Sequence, residues 1–303
     1  MPTSLDVHCF FDPLDPRGWG SEPAVRWLRA AHPDATWQYH AVPLLDSWDR
    51  YDGPEFPAGR ESAAAVCARV SEDSGMPIDE FLWFEDAPST SHPACRAVAA
   101  AFGTGTDAGR RLLRAAREST FIRRTNLDSP EAVRALADAV DGVDSDAVAT
   151  AVSASTATIE DPPFEPTAVA GVEAAGDRPK LPALVLDGPD GRRGFSGLLD
   201  VAQLRHVLQT VGVPANTPEW TVDDAITTFS AEGWIALAEL TALAGCSDDD
   251  AAVAARDSAD VVEREFAAEP FFRADEFVDE AEPIEDDDSA AASNSSTAAG
   301  SSR

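Results

Sequence analysis

The chain has 303 residues, enough for a full hydrophobic core in one large domain or two smaller ones. Its 54 acids against 23 bases give a formal net charge of −31, with Lys180 the only lysine, so no nucleic-acid partner is expected. The acids run along the whole sequence, as in proteins that stay soluble in concentrated salt, and a halophilic, acidic protein is expected rather than an ordinary one with an acidic tail.

The opening residues 1–11 carry no basic region followed by a long apolar run, so no signal peptide is read there. No apolar stretch approaches the ~20 residues of a spanning helix, so no membrane is expected as a partner and the expected location is cytoplasmic. Cys9, Cys67, Cys95 and Cys246 are scattered and form no CxxC, which makes buried reduced thiols the expectation.

In chain order, residues 5–11 and 35–42 read as strands flanking a helix from about 20 to 31, a β-α-β opening in which Trp27 and Leu28 fall on the buried face. Residues 43–60 read as loop. From 61 to about 151 the pattern is helical, with helices around Ala63–Cys67, Ser91–Phe102, Ala108–Glu118 and Ser129–Val140; Ser129-Pro130-Glu131 is a capped helix start. A Pro-rich passage at 161–166 leads to a strand at Leu181–Leu186, a hairpin-type turn at 187–191 and a helix from Leu198 to Val211. Beyond Pro214, Ile235–Leu243, Gly245 and Ser247–Val262 suggest helix, turn, helix. The tail from 282 to 303, acidic and then Ser/Ala-rich, is expected to be disordered.

The segment FFDPLDPRGWGSEPAVRWL, residues 10–28, resembles the DsbA-like branch of the thioredoxin superfamily, especially its FrnE-type and SpxH-adapter relatives, where the same place reads like DPxCPxCWG. The β-β-α ending after a helical insertion is a second point of resemblance, which covers about residues 5–212. It implies an α/β thioredoxin-like fold formed by 1–60 and 166–212, with 61–165 inserted as a helical subdomain. To this the sequence adds a small C-terminal helical, helix-turn-helix-like unit over 213–281. Asp15, Pro16, Arg17, Gly18 and Trp19 then become degenerate active-site positions, Asp15 and Gly18 standing where the two cysteines would be.

A thioredoxin-type thiolate is stabilised at a helix N-terminus, and exchange needs a second thiol to resolve the mixed disulfide. Asp15 can cap the helix and Pro16 suits its first position, but Gly18 can resolve nothing, so no dithiol chemistry is expected. The resemblance also places Leu181-Pro182 as the cis-proline pair facing Asp15 and Trp19 across a peptide-binding groove; Trp19 either lines that groove or is simply packed, as an aromatic in a first helical turn is as often. Cys95, between His92 and Arg96, is the one thiol whose neighbours suggest reactivity, and Ser21 is the one nearby hydroxyl.

The five histidines show no metal-ligand spacing, and no phosphate loop or GxSxG elbow occurs, so no metal and no cofactor are expected. The second helix of the C-terminal pair starts Ser247-Asp248-Asp249-Asp250, which would repel phosphate. The expected function is a protein- or peptide-binding, adapter-type role with a protein or peptide client. The alternative is an oxidoreductase or a glutathione-dependent-isomerase-like enzyme with altered chemistry at Cys95 or Ser21.

Overall fold

Residues 5–44, 59–154 and 162–278 are described by the computed structural model. The first strand, β1 (Asp6–Phe11), alternates as a strand buried on both faces must: Val7, Cys9 and Phe11 enter the main core, while His8 and Phe10 point the other way. Asp12-Pro13-Leu14 turns the chain into a short helix, α1 (Pro16–Gly20), continued after Ser21 by α2 (Glu22–Ala31), which buries Trp27 and Leu28. Strand β2 (Thr36–Ala41) returns parallel to β1, completing the β-α-β opening. The loop expected at 43–60 falls mostly on residues 45–58, outside the described residues.

Six helices follow: α3 (Arg60–Ser74), α4 (Leu82–Glu85), α5 (His92–Thr104), α6 (Thr106–Phe121), α7 (Pro130–Asp138) and α8 (Ser145–Ser153). Ser129 caps α7 through the Ala132 amide with Pro130 at the first helical position. Buried residues of α5 to α8 belong to the same apolar cluster as β1, α2 and the later strands, so these helices share a core with the sheet.

A two-residue ladder of β3 (Ala174–Ala175) and β4 (Arg178–Pro179) precedes β5 (Ala183–Gly188) and β6 (Gly191–Ser196), an antiparallel hairpin followed by α9 (Val201–Thr210). The sheet runs β2-β1-β5-β6, with β5 antiparallel to β1. Leu184 and Leu186 face the main core; Ala183 and Val185 face a second layer, where Phe164, Val169 and Val172 cover Phe10.

The C-terminal segment corrects the expectation of an all-helical unit over 213–281. Helices α10 (Val222–Phe229), α11 (Leu237–Ala244) and α12 (Asp248–Asp257) are joined by three strands, β7 (Ile235–Ala236), β8 (Val261–Phe266) and β9 (Glu269–Ala274), in sheet order β7-β9-β8. Gly245 ends α11 in the left-handed conformation. The helix expected to reach Val262 stops at Asp257, and Val262 lies in β8. The β8–β9 hairpin turns at Ala267 and Ala268, at φ 50° and 60°. A two-residue turn with both φ positive normally announces itself as Asn-Gly, so two alanines gave no hairpin signal. The tail expected to be disordered lies outside the described residues.

Candidate functional site

The turn before α1 is fixed by a carboxylate. Asp12 is fully buried and accepts hydrogen bonds from the amides of Leu14 (2.8 Å) and Leu44 (2.6 Å) and from the Ser91 hydroxyl. Burial nevertheless leaves its carboxyl titrating above the usual range, against the pull of those donors. Asp15 caps α1: its Oδ1 accepts from the Arg17 amide at 3.1 Å, and Pro16 occupies the first helical position. Its Oδ2 is buried with no hydrogen-bond partner among the described residues. Burial is the largest influence on Asp15 and raises its pKa from 3.8 to about 6; Arg17 opposes this, and the Asp12 charge adds to it.

At Gly18 a side chain would meet the tip of a buried arginine, which would have to shift to admit it. A Cβ placed there would stand 2.7 Å from a guanidinium nitrogen of Arg117 on α6 and 3.5 Å from the guanidinium carbon. Arg117 is 4% exposed, pairs with Glu22 and leaves its Nε without a partner among the described residues. Gly18, Ser21, Glu22, Arg117 and Pro182 all line one cavity of about 30 Å³, room for a water molecule and not for a peptide side chain. The Leu181–Pro182 bond is cis and both residues are buried. The structure therefore brings Gly18, Ser21 and Pro182 together, but the groove expected among Asp15, Trp19, Leu181 and Pro182 is filled. Of the motif residues only Pro16 and Arg17 are partly exposed.

Trp19 takes the packed alternative and is 0% exposed. Its ring stacks between Phe121 of α6 (6.1 Å) and Phe271 of β9 (6.4 Å), its Nε1–H donates to the Pro77 carbonyl at 2.8 Å, and the Arg114 guanidinium lies 4.4 Å from the ring centroid. The C-terminal segment thus covers this side of α1. An ion network seals the contact. Glu239 of α11 takes Arg114 at 2.8 and 2.9 Å and stands 3.2 Å from Arg26, all three essentially unexposed. Arg114 also binds Glu118 at 2.8 Å and the Trp234 carbonyl. Glu118 accepts the Trp234 amide, and Arg29 grips Glu232 with two hydrogen bonds.

The other candidates are engaged. Cys95 is fully buried, and burial, reinforced by Asp12, holds its thiol well above the ordinary value, which opposes reactivity there. The thiols of Cys9 and Cys67 are also pushed up by burial, each to about 12. Cys67 accepts the Trp83 indole N–H at 3.1 Å. The Ser21 hydroxyl donates to the Arg17 carbonyl at 2.6 Å and accepts the Leu199 amide at 3.0 Å, which ties α1 to the start of α9. No cluster of three metal-ligating side chains occurs among the described residues, and no helix there is long and apolar enough to cross a membrane.

Sequence reasoning missed Arg117, Arg114 and Glu239. The signal was present in α6, where Arg110, Arg114 and Arg117 recur on the face that also carries Leu113 and Phe121, a helical stripe of cations on an apolar side.

Comparison with known proteins fits this architecture. The family model described as Thioredoxin matches residues 8–159. The ClpXP adapter protein SpxH of Halalkalibacterium halodurans is 32% identical over 132 residues, 41% of this chain and 41% of that protein. SpxH of Bacillus subtilis is 29% identical over 126 residues, 41% of this chain and 40% of that protein. The chain thus spans about two-fifths of the length of the curated relatives it matches. Among solved structures, a Nitrosomonas europaea protein described as a disulfide isomerase superposes with a TM-score of 0.50 at 19% identity, over 68% of this chain and 97% of that one. That likeness shows the fold. The chain belongs to the thioredoxin family.

Proposed function

We propose that this protein is a binding, adapter-type member of its family that has exchanged dithiol chemistry for a fixed scaffold, and that it presents a protein client to a partner of the ClpXP kind. The observation that carries the loss of chemistry is the Arg117 guanidinium, 2.7 Å from where a Gly18 Cβ would lie, in the seat of a resolving thiol. Asp15 holds the other thiol's place with a carboxylate that caps α1 and cannot exchange. The naming of its relatives as ClpXP adapter proteins supports the client-binding half of the reading. The acidic composition supports a role in a salt-rich environment.

Insulin reduction in concentrated KCl with dithiothreitol tests the first half. No acceleration over the thiol alone is expected from the protein, and turnover like that of a dithiol enzyme overturns the reading. A D15C/G18C variant is expected to stay inactive because its second thiol meets Arg117, and to gain activity when R117A is added. Reconstituted degradation of a client by a ClpXP-type protease, with and without this protein, tests the adapter role; an unchanged degradation rate counts against it. An enzyme acting through Cys95 or Ser21 is not favoured, since the thiol is buried and the hydroxyl is committed on both sides.

A further inference from the structure

The start of helix α4 presents, among the described residues, the one adjacent pair of large apolar side chains left in water. Among the described residues only Phe81, Phe84 and Val253 are large hydrophobics in the open, and Phe81 and Phe84, 52% and 50% exposed, are neighbours with ring centroids 6.4 Å apart. The two stand at i and i+3 on one side of a single helical turn. The residues between them anchor that turn: Leu82 and Trp83 are buried, and the Trp83 indole donates to Cys67. The rings are therefore held outward by a rigid base.

Arg124 clamps the same turn. Its Nε binds Asp79 at 2.6 Å, its second nitrogen reaches Glu85 at 3.4 Å, and its guanidinium lies 5.3 Å from the Phe81 centroid. Arg124 does this at φ 51°, in the left-handed region that a side-chain-bearing residue occupies at a cost. Backbone strain, a guanidinium over a ring and two exposed aromatics converge on one small patch. Around it stand Asp79, Glu80, Glu85 and Asp86, of which Glu85 and Asp86 are exposed.

We infer that Phe81 and Phe84 form a docking site for a basic segment of a partner protein, with an apolar side chain inserted between the rings and arginines or lysines meeting the surrounding carboxylates. Arg124 over Phe81 is an internal instance of the cation–ring contact such a segment would make. Charge selects this occupant over the others. A second copy of the chain would bring the same acidic rim and another −31 charges to the contact. Two half-exposed rings also offer roughly 200 Å² of apolar surface, against the ~1,200–2,000 Å² buried by a stable protein pair. An anionic lipid surface is repelled by the same carboxylates. A short peptide anchored on two aromatics matches both the size and the sign of the patch. The inference rests on the client-binding reading above and adds where, and to what chemistry, the protein binds.

Binding of a labelled helical peptide of alternating arginine and leucine turns is measured by fluorescence anisotropy, beside an arginine/serine and a glutamate/leucine counterpart. The expected result is preference for the arginine/leucine peptide, with its affinity about tenfold lower in F81S/F84S and lowered again by E85R, all variants melting as the parent does. Unchanged affinity in F81S/F84S overturns the inference, and so does equal binding of the arginine/serine peptide, which would reflect net charge alone. A dimer in sedimentation velocity that F81S/F84S abolishes also overturns it and assigns the patch to a second copy. If a client is delivered equally well by the parent and by F81S/F84S, this surface falls and the adapter reading stands. If the parent delivers none while the peptide binds as expected, the adapter reading falls and the surface stands.

Discussion

Asp15 caps α1 from a fully buried position, and that burial gives it a measurable signature. Its folded pKa of about 6 lies above the ordinary 3.8, so the folded protein holds a proton that the unfolded chain releases. The favourable contribution is complete below about pH 4 and is lost as pH rises through 6. Asp15→Asn keeps a capping oxygen and removes the charge. It is expected to stabilise the fold by about 3 kcal/mol at pH 8 and to change little below pH 4, the shift being worth ~1.4 kcal/mol per unit. Urea unfolding across that range checks this; a constant difference between the two proteins would show that the charge plays no part. His40, stacked on Phe10 and 3.2 Å from His8, has the opposite slope. Burial, then His8, lower its pKa to about 4, so its contribution is lost as pH falls from 6.5 towards 4. His40→Gln should therefore flatten the acid limb that Asp15→Asn steepens.

At the scale of elements, α2, α6 and α11 meet through carboxylates and guanidinium groups that have almost no water around them. Removing one member of a buried pair leaves the rest uncompensated. Glu239→Gln is accordingly expected to cost about 3–5 kcal/mol, because Arg26 and Arg114 both lose their common anion. A loss below about 1 kcal/mol in chemical denaturation would mean that the network is held elsewhere. The same elements show what a sequence can and cannot tell. The β-α-β opening, the Ser129 cap and the hairpin ahead of α9 were legible because alternation, capping residues and turn glycines are local signals. Arg117 at Gly18 was not, since two residues 99 positions apart in sequence meet only after α6 packs on α1. Between the groove-lining and packed readings of Trp19 the local sequence could not choose for the same reason: its cover arrives from β9. The β8–β9 hairpin stayed hidden behind an alanine pair in a conformation that alanine rarely signals.

For the whole molecule, −31 charges on 303 residues make self-repulsion a term that salt controls. Screening shortens from ~10 Å at 0.1 M to ~3 Å at 1 M salt, while the apolar clusters and the shielded ion network lose little. The melting temperature is therefore expected to climb by at least about 5 °C between dilute buffer and molar KCl, on the order of 1–2 kcal/mol for a chain of this size. A flat or falling salt profile would refute the halophilic reading of the composition. Calorimetry over a KCl series decides it.

The stacking of Trp19 on Phe271 also imposes an order of events on synthesis. Phe271 follows Trp19 off the ribosome about 250 residues later, on the order of 10–50 s at ~5–20 residues per second. Throughout that interval an indole destined for complete burial lacks one of the two rings that enclose it. A late strand is what closes over a residue of the first helix.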